Sequence, residues 1–196
     1  MTMNRKLIEL TRALLEGTGY PQITTVNFKV PEARTHLWSG LRYFCGEDAA
    51  WTQDYEPVAA WLSDNKGKGL LMSGSCGTGK TLIGSRIIPL LLYRYCNKLM
   101  VFQYSAREIN CKVDEILRQR VVYIDDVGKE NMLNSYGNRR WVFPEIVDEA
   151  ERRGKMLILS TNLDAEHLAE KYDDRTMDRL RALTRLVPFT GKSLRK

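Results

Sequence analysis

An eight-residue glycine-rich segment contains the residue types that most directly specify chemistry. It follows the pattern G-x-x-x-x-G-K-[ST], in which backbone N–H groups converge on phosphate oxygens and the last two side chains reach the outer phosphates and a Mg²⁺ ion. Its members are Gly74, Ser75, Cys76, Gly77, Thr78, Gly79, Lys80 and Thr81. In this pattern Lys80 contacts the β- and γ-phosphates, and the Thr81 hydroxyl holds Mg²⁺. The segment therefore predicts a site for ATP and magnesium.

Polar residues also follow two apolar runs further along the chain. Asp125 and Asp126 come directly after the run at 121–124, and Asn162 lies just beyond the run at 156–159. Ligands of open α/β sheets bind at the carboxyl edge of the strands, so these side chains are expected beside the glycine-rich segment. We assign Asp125 to Mg²⁺, Asp126 to activation of the attacking water, and Asn162 to holding that water. Glu130 is the acid to test if Asp126 is not the base.

The elements that must position these residues alternate between short apolar strands and helices. Strands are predicted at 70–72, 99–102, 121–124, 156–159 and 185–189, and helices at 81–95, 106–119 and 140–152, with two short helices before the last strand. Pro89 is expected to bend the first of these helices, and Gly154 is expected to end the third. Continuous apolar strands between helices predict an α/β fold with a parallel sheet covered on both faces.

The first 66 residues are predicted to form a short, mainly helical segment. Helices are expected at 5–16 and 55–63, with a brief extended stretch at Val26, Phe28 and Val30. Glycines and lysines at 65–69 break the pattern, so we divide the chain into a segment 1–66, for partner docking or packing, and a core 67–196. The length of 196 residues suits one compact domain with such an appendage.

Charge and composition restrict the function classes without choosing among them. The net charge is +6, and residues 171–196 hold eight basic and three acidic residues, a local excess of +5. This basic end is compatible with nucleic acid and equally with arginines that serve a nucleotide. The four cysteines are scattered, which indicates a reduced, cytoplasmic protein. The longest apolar run, 87–92, is too short to span a bilayer, so no membrane association is expected.

Five motifs in order resemble the DnaC, DnaI and IstB family of AAA+ ATPases over roughly residues 67–196. They are the glycine-rich segment, Ile-Asp-Asp-Val-Gly-Lys-Glu at 124–130, Leu-Ser-Thr-Asn-Leu at 159–163, Asp-Arg-Thr-Met-Asp-Arg-Leu at 174–180 and Thr-Gly-Lys-Ser-Leu-Arg at 190–195. The resemblance implies an AAA+ P-loop core and a sensor-1 role for Asn162. It also implies an arginine finger at Arg179, with Arg175 as second choice, and a nucleotide-binding sensor-2 role for Arg195. Because the chain ends just after Arg195, the C-terminal lid is expected to be reduced or absent.

The same resemblance implies a role in DNA replication. The expected partners are a replicative helicase of the DnaB type and single-stranded DNA, with a homo-oligomer formed in the ATP- or DNA-bound state. The alternative within the family is the ATPase partner of a transposase, like IstB, which binds duplex DNA. Lys129, Arg139 and Arg140, with Asn138 and Trp141, flank a helix start where relatives can face single-stranded DNA. A solvated helix end with a buried Trp141 is the competing interpretation.

Other classes of P-loop protein fit the sequence less well. A GTPase is disfavoured because no Asn-Lys-x-Asp motif follows the third predicted strand. A small kinase would use the two carboxylates differently and would need no sensor-1 asparagine. A binding module with a vestigial site is disfavoured because Lys80, Thr81, Asp125 and Asp126 are all present.

Overall fold

Five parallel strands form the central sheet, in the order β2-β3-β6-β1-β7. The computed structural model of the protein describes residues 5–17, 23–135 and 138–191. Its strands are β1 (Gly69–Gly74), β2 (Phe102–Ser105), β3 (Val121–Asp125), β4 (Leu133–Ser135), β5 (Asn138–Arg140), β6 (Met156–Thr161) and β7 (Thr184–Phe189). Strands β4 and β5 form a separate antiparallel hairpin, whereas every pairing in the main sheet is parallel. The predicted α/β class with a parallel sheet is confirmed.

Helices cover both faces of this sheet. The helices of the described residues are α1 (Arg5–Gly17), α2 (Ala33–Cys45), α3 (Tyr55–Ser63), α4 (Lys80–Leu82), α5 (Ile88–Tyr95), α6 (Ile109–Ile116), α7 (Val142–Arg153), α8 (Ala165–Lys171) and α9 (Asp174–Leu183). Strand side chains alternate between faces, so Val121 and Tyr123 join the core that α2, α3 and α5 cover, while Val122 and Ile124 join the core beneath α6, α7 and α9. The carboxyl ends of the strands are left free to build a site.

The helix that follows the glycine-rich loop contains a π-helical turn, Ile83–Ile87, between α4 and α5. The irregularity therefore lies just before Pro89, where the bend was predicted. Proline has no N–H to donate to the carbonyl four residues earlier, and the Gln103 side chain supplies that bond to Ser85 O at 2.9 Å. Within the turn, a Cβ on Gly84 would lie 2.3 Å from the Tyr123 ring. The absent side chain allows the helix to approach β3 closely.

The N-terminal region contributes to the same core as the sheet. Helix α3 has the predicted bounds, but α2 was not predicted, although its buried residues Ala33, Leu37 and Leu41 have helical spacing. The stretch with Val26 and Phe28 is buried, but it forms no strand. Its backbone forms hydrogen bonds with the buried side chain of Asn65, which accepts from Phe28 N at 2.8 Å and donates to Val26 O at 2.8 Å. The division at residue 66 stays a prediction.

Other element boundaries show where local signals were accurate. Helix α7 ends at Gly154, which has φ 64° and ψ 33°, as predicted for a glycine cap. The prediction for β2 was three residues too early, because the strand begins only at Phe102, where pairing with Val122 starts. The β4–β5 hairpin was not predicted. None of the helices in the described ranges is long and apolar enough to cross a membrane.

Candidate nucleotide-binding site

The glycine-rich loop leads from β1 into α4 and surrounds the ammonium group of Lys80. Lys80 Nζ donates to the carbonyl oxygens of Gly74 and Ser75, at 2.7 Å each. Gly77 and Gly79 have φ values of 86° and 93°, a region that side chains with a Cβ disfavour. Burial of the ammonium lowers the pKa of Lys80, although nearby acidic groups oppose that shift. The loop is therefore built around a partly desolvated cation.

Residues outside the loop hold it in place. The buried Tyr55 hydroxyl of α3 donates to Thr78 O at 3.2 Å, and the Thr78 hydroxyl donates to Ser75 O at 3.1 Å. The loop opens on a cavity of about 350 Å³, whose lining includes Lys80, Thr81, Asp126, Lys129 and Asn162. The fold therefore brings Lys80 and Thr81 of the loop to the same cavity as Asp126 and Asn162.

The predicted metal ligands meet at the edge of the sheet. Thr81 Oγ1 donates to Asp125 Oδ1 at 3.1 Å, joining the start of α4 to the end of β3. A hydroxyl and a carboxylate oxygen are ligand types that Mg²⁺ prefers, so this pair fits the ion that the sequence implies. The same Asp125 oxygen also accepts from the hydroxyls of Tyr123, at 2.7 Å, and Ser160. These two residues fix the carboxylate in front of Thr81.

Asp126, Asn162 and Lys80 form a continuous chain of hydrogen bonds. Asn162 Nδ2 donates to Asp126 Oδ1 at 2.7 Å, and Asn162 Oδ1 accepts from Lys80 Nζ at 3.2 Å. Asp126 has φ 59°, a left-handed conformation that costs about 1 kcal/mol for a residue with a Cβ. Its backbone N–H donates to Ser160 Oγ at 3.2 Å, which helps hold this conformation. Strain of this kind concentrates at functional sites.

The sequence analysis missed Tyr123 and Ser160, although both contact the predicted metal ligand. Tyr123 lies in the middle of β3, and its pKa is raised strongly by burial and then by the charge of Asp125. Ser160 lies in β6, and its oxygen is 3.1 Å from the Tyr123 hydroxyl. The sequence signal for them was a hydroxyl group within a largely apolar strand, Tyr123 in β3 and Ser160 in β6.

Glu130 is anchored away from the cavity. Its carboxylate accepts from Gly128 N at 2.9 Å and from the Tyr172 hydroxyl, and it pairs with Lys171 Nζ at 3.3 Å. Its side chain is fully buried. These contacts tie the turn after β3 to α8. They give Glu130 a structural role, and its use as the alternative base stays a prediction.

The arginines predicted to act on a neighbouring subunit lie on α9, next to α7. Arg179 Nε pairs with Glu151 at 2.6 Å and with Asp148 at 3.2 Å, and its side chain is 20% exposed. Arg175 pairs with Asp148 at 3.4 Å and is 68% exposed. Neither residue is among those that line the cavity, so the finger role of either stays a prediction. Arg195 lies outside the described residues.

Two of the residues predicted to contact DNA, Lys129 and Arg140, pair with different acidic residues. Lys129 lies on the nucleotide cavity and pairs with Asp126 at 2.8 Å. Arg140 pairs with Glu145 at 2.9 Å, beside the start of α7. Arg139 belongs to β5, and its side chain lies outside the described part of the chain, as does that of Asn138. Trp141 is half-buried, with Lys171 Nζ 4.5 Å from its ring centroid.

Comparison with known proteins identifies the fold. No protein-family model matches the chain, and no curated protein matches it. The structure of the DnaC helicase loader is similar, with a TM-score of 0.53 and 17% identity over 83% of this chain and 93% of that chain. DnaI gives a TM-score of 0.53 and 23% identity, over 84% of this chain and 85% of that chain. The structure of the replication initiator DnaA, bound to AMPPCP and single-stranded DNA, gives a TM-score of 0.54 and 16% identity. The match covers 74% of this chain and 49% of that chain. At these identities the likeness shows the fold, and the predicted AAA+ P-loop fold is confirmed.

Proposed function

We propose that the protein binds ATP with Mg²⁺ and hydrolyses it. The observation that carries the proposal is the chain of contacts from Lys80 through Asn162 to Asp126, beside the pair of Thr81 and Asp125. In an ATPase of this class these groups hold the outer phosphates, the metal and the attacking water. All five residues lie at the end of the glycine-rich loop or at the carboxyl ends of β3 and β6.

Each residue has a role that follows from its chemistry. Lys80 and the loop N–H groups would bind the β- and γ-phosphates, and Thr81 and Asp125 would hold Mg²⁺. The ion supplies neutralisation of phosphate charge when bound. Asp126 takes the proton of the water whose oxygen bonds to the γ-phosphorus, while the bond from that phosphorus to the bridging oxygen breaks and ADP leaves. Asn162 orients Asp126 and the water.

Two variants separate binding from turnover. Lys80→Ala should abolish or severely weaken ATP binding in calorimetry, because the fixed positive charge at the outer phosphates is lost. Asp126→Asn should bind ATP but lose most phosphate release, because an amide cannot accept the proton of water. Glu115→Gln serves as the control acid, since Glu115 is exposed on α6 and contacts Tyr104. Tight ATP binding by Lys80→Ala would contradict the site assignment.

The finer proposal is that this ATPase loads a replicative helicase of the DnaB type during DNA replication, in the cytoplasm. It is supported by the motif order and by the likeness to structures of the DnaC helicase loader and DnaI. Residues 1–66 include a surface suited to docking, because Leu10 and Leu14 on α1 are 58% and 63% exposed. Leu10→Ala with Leu14→Ala should weaken binding to purified helicase in gel filtration while ATP binding stays unchanged.

We also propose that the protein binds single-stranded DNA, more tightly with ATP than with ADP. A solved DnaA structure contains both AMPPCP and single-stranded DNA, and the cationic Arg140 ends the hairpin strand β5 in this chain. Anisotropy titrations with labelled oligonucleotides at two salt concentrations test this, because phosphate contacts make affinity fall steeply with salt. A preference for duplex would instead favour the IstB-like role with a transposase.

A further inference from the structure

Lys129 is a second lysine on the nucleotide cavity, and the proposed mechanism gives it no task. It lines the cavity together with Lys80. Its ammonium donates to Asp126 Oδ2 at 2.8 Å, while Asn162 occupies Asp126 Oδ1. Both oxygens of the proposed base therefore carry a donor, and one of the two donors is a full positive charge. Lys129 therefore occupies the Asp126 oxygen that Asn162 leaves open.

The backbone that carries Lys129 is held on both sides. Val127 N donates to Ser160 O at 2.8 Å, and the Thr161 hydroxyl donates to Val127 O at 2.7 Å. On the other side, Glu130 is buried and accepts from Gly128 N. The position of Lys129 beside the cavity is therefore fixed, and its side chain is the movable part.

The bond between Lys129 and Asp126 is of a kind that exchanges readily. The side chains of Lys129 and Asp126 are 43% and 36% exposed, and solvated ion pairs contribute little to stability. Lys80 differs, because its residue is 5% exposed and its ammonium is enclosed by loop carbonyls. A dianionic phosphate group that enters beside Asp126 attracts the Lys129 ammonium more strongly than one carboxylate does.

We propose that Lys129 is the residue by which the site distinguishes ATP from ADP, an inference that rests on the proposed ATPase function. With ADP, Lys129 stays paired with Asp126. With ATP, its ammonium moves to the γ-phosphate, which leaves Asp126 Oδ2 free to accept the proton of water. A single lysine thus couples recognition of the third phosphate to release of the base.

The test compares the affinities of two nucleotides across matched lysine variants. Mg²⁺-AMPPCP, which has a γ-phosphate but resists hydrolysis, and Mg²⁺-ADP are titrated calorimetrically. Lys129→Gln should weaken AMPPCP binding about tenfold, equivalent to about 1.4 kcal/mol, and leave ADP binding unchanged. Lys129→Arg, which keeps the charge, should retain most of the preference. Lys112→Gln is the control, because Lys112 of α6 is also 43% exposed and pairs with an acid, Glu108.

The outcomes separate this inference from the proposed function. If Lys129→Gln loses equal affinity for both nucleotides, or loses affinity for neither, the inference is overturned while the ATPase assignment stands. Failure of the wild-type protein to bind either nucleotide would overturn the proposed function itself. Thermal denaturation of each variant checks the fold, and Lys129→Arg keeps the comparison informative if Lys129→Gln unfolds.

Discussion

Replacing Tyr123 with phenylalanine should weaken both the fold and the metal site. The Tyr123 hydroxyl is buried and donates to Asp125 Oδ1 at 2.7 Å. A hydrogen bond to a charged acceptor contributes about 1.5–3 kcal/mol, and phenylalanine fills the same volume, so no cavity is added. At about 2–4 °C per kcal/mol for a chain of this size, the melting temperature should fall by roughly 3–12 °C.

The second consequence of Tyr123→Phe concerns Mg²⁺. Asp125 would keep the hydroxyls of Ser160 and Thr81 but lose the donor that holds it from within the core. Loss of a partner that orients a ligating carboxylate lowers metal affinity by about 10–100-fold. The Mg²⁺ concentration for half-maximal ATP binding should therefore rise by about tenfold. Titration of Mg²⁺ at fixed ATP, followed by calorimetry, measures this shift.

Tyr104→Phe is the matched control for this prediction. The Tyr104 hydroxyl donates to Glu115 at 2.8 Å, and burial raises the pKa of Tyr104 to about 12. Glu115 is exposed, so water replaces the lost donor and the stability change should stay below about 1 kcal/mol. Magnesium dependence should not change. If Tyr123→Phe loses no more stability than Tyr104→Phe, the hydroxyl is not the support for Asp125 that the geometry indicates.

Three further changes test other parts of the structure. Lys171→Met leaves the buried Glu130 carboxylate without its cation, so urea denaturation should show a loss of about 3–5 kcal/mol, unlike an exposed lysine substitution. Asp173 caps α9 by accepting hydrogen bonds from Thr176, which lower the pKa of Asp173. The cap therefore stabilises the fold fully above pH 3.8, and this contribution is lost as the pH falls through the lowered pKa. Asp173→Ala should therefore lower the melting temperature at neutral pH but not in strong acid, whereas asparagine keeps a cap at both. Arg179→Ala subunits and Arg175→Ala subunits are each mixed with Lys80→Ala subunits. The mixture should regain ATPase activity when the replaced arginine is the one that acts in trans. If neither mixture gains activity although its subunits co-assemble, both arginines are excluded as the finger.

The glycine-rich loop and the residues around it were predictable because each follows a strong local signal. A fixed spacing of glycines, Lys80 and Thr81 specifies phosphate binding, and an apolar run places Asp125 at a strand end. Neighbouring strands in a parallel sheet then bring the carboxyl ends together without further information. The structure accordingly joins Lys80, Asn162 and Asp126 within one chain of contacts.

Features that depend on tertiary contacts were harder to predict. Helix α2 contains several aromatic residues and begins after Glu32, which makes no side-chain cap bond, so no capping residue marks its start. The stretch with Val26 and Phe28 alternates like a strand, yet the Asn65 amide, distant in sequence, supplies its pairing. The role of Tyr123 is likewise visible only in the structure, where its hydroxyl meets Asp125 and also Ser160 of β6.

The connection between the hairpin and the nucleotide site depends on Lys171. Its ammonium lies 4.5 Å from the ring centroid of Trp141, the residue directly after β5, and it donates to Gly128 O at 2.5 Å and Glu130 O at 3.2 Å. Gly128 and Glu130 flank Lys129, so one side chain contacts both the base of the hairpin and the turn that follows the proposed base. Displacement of Trp141 would therefore remove one contact of the side chain that supports that turn.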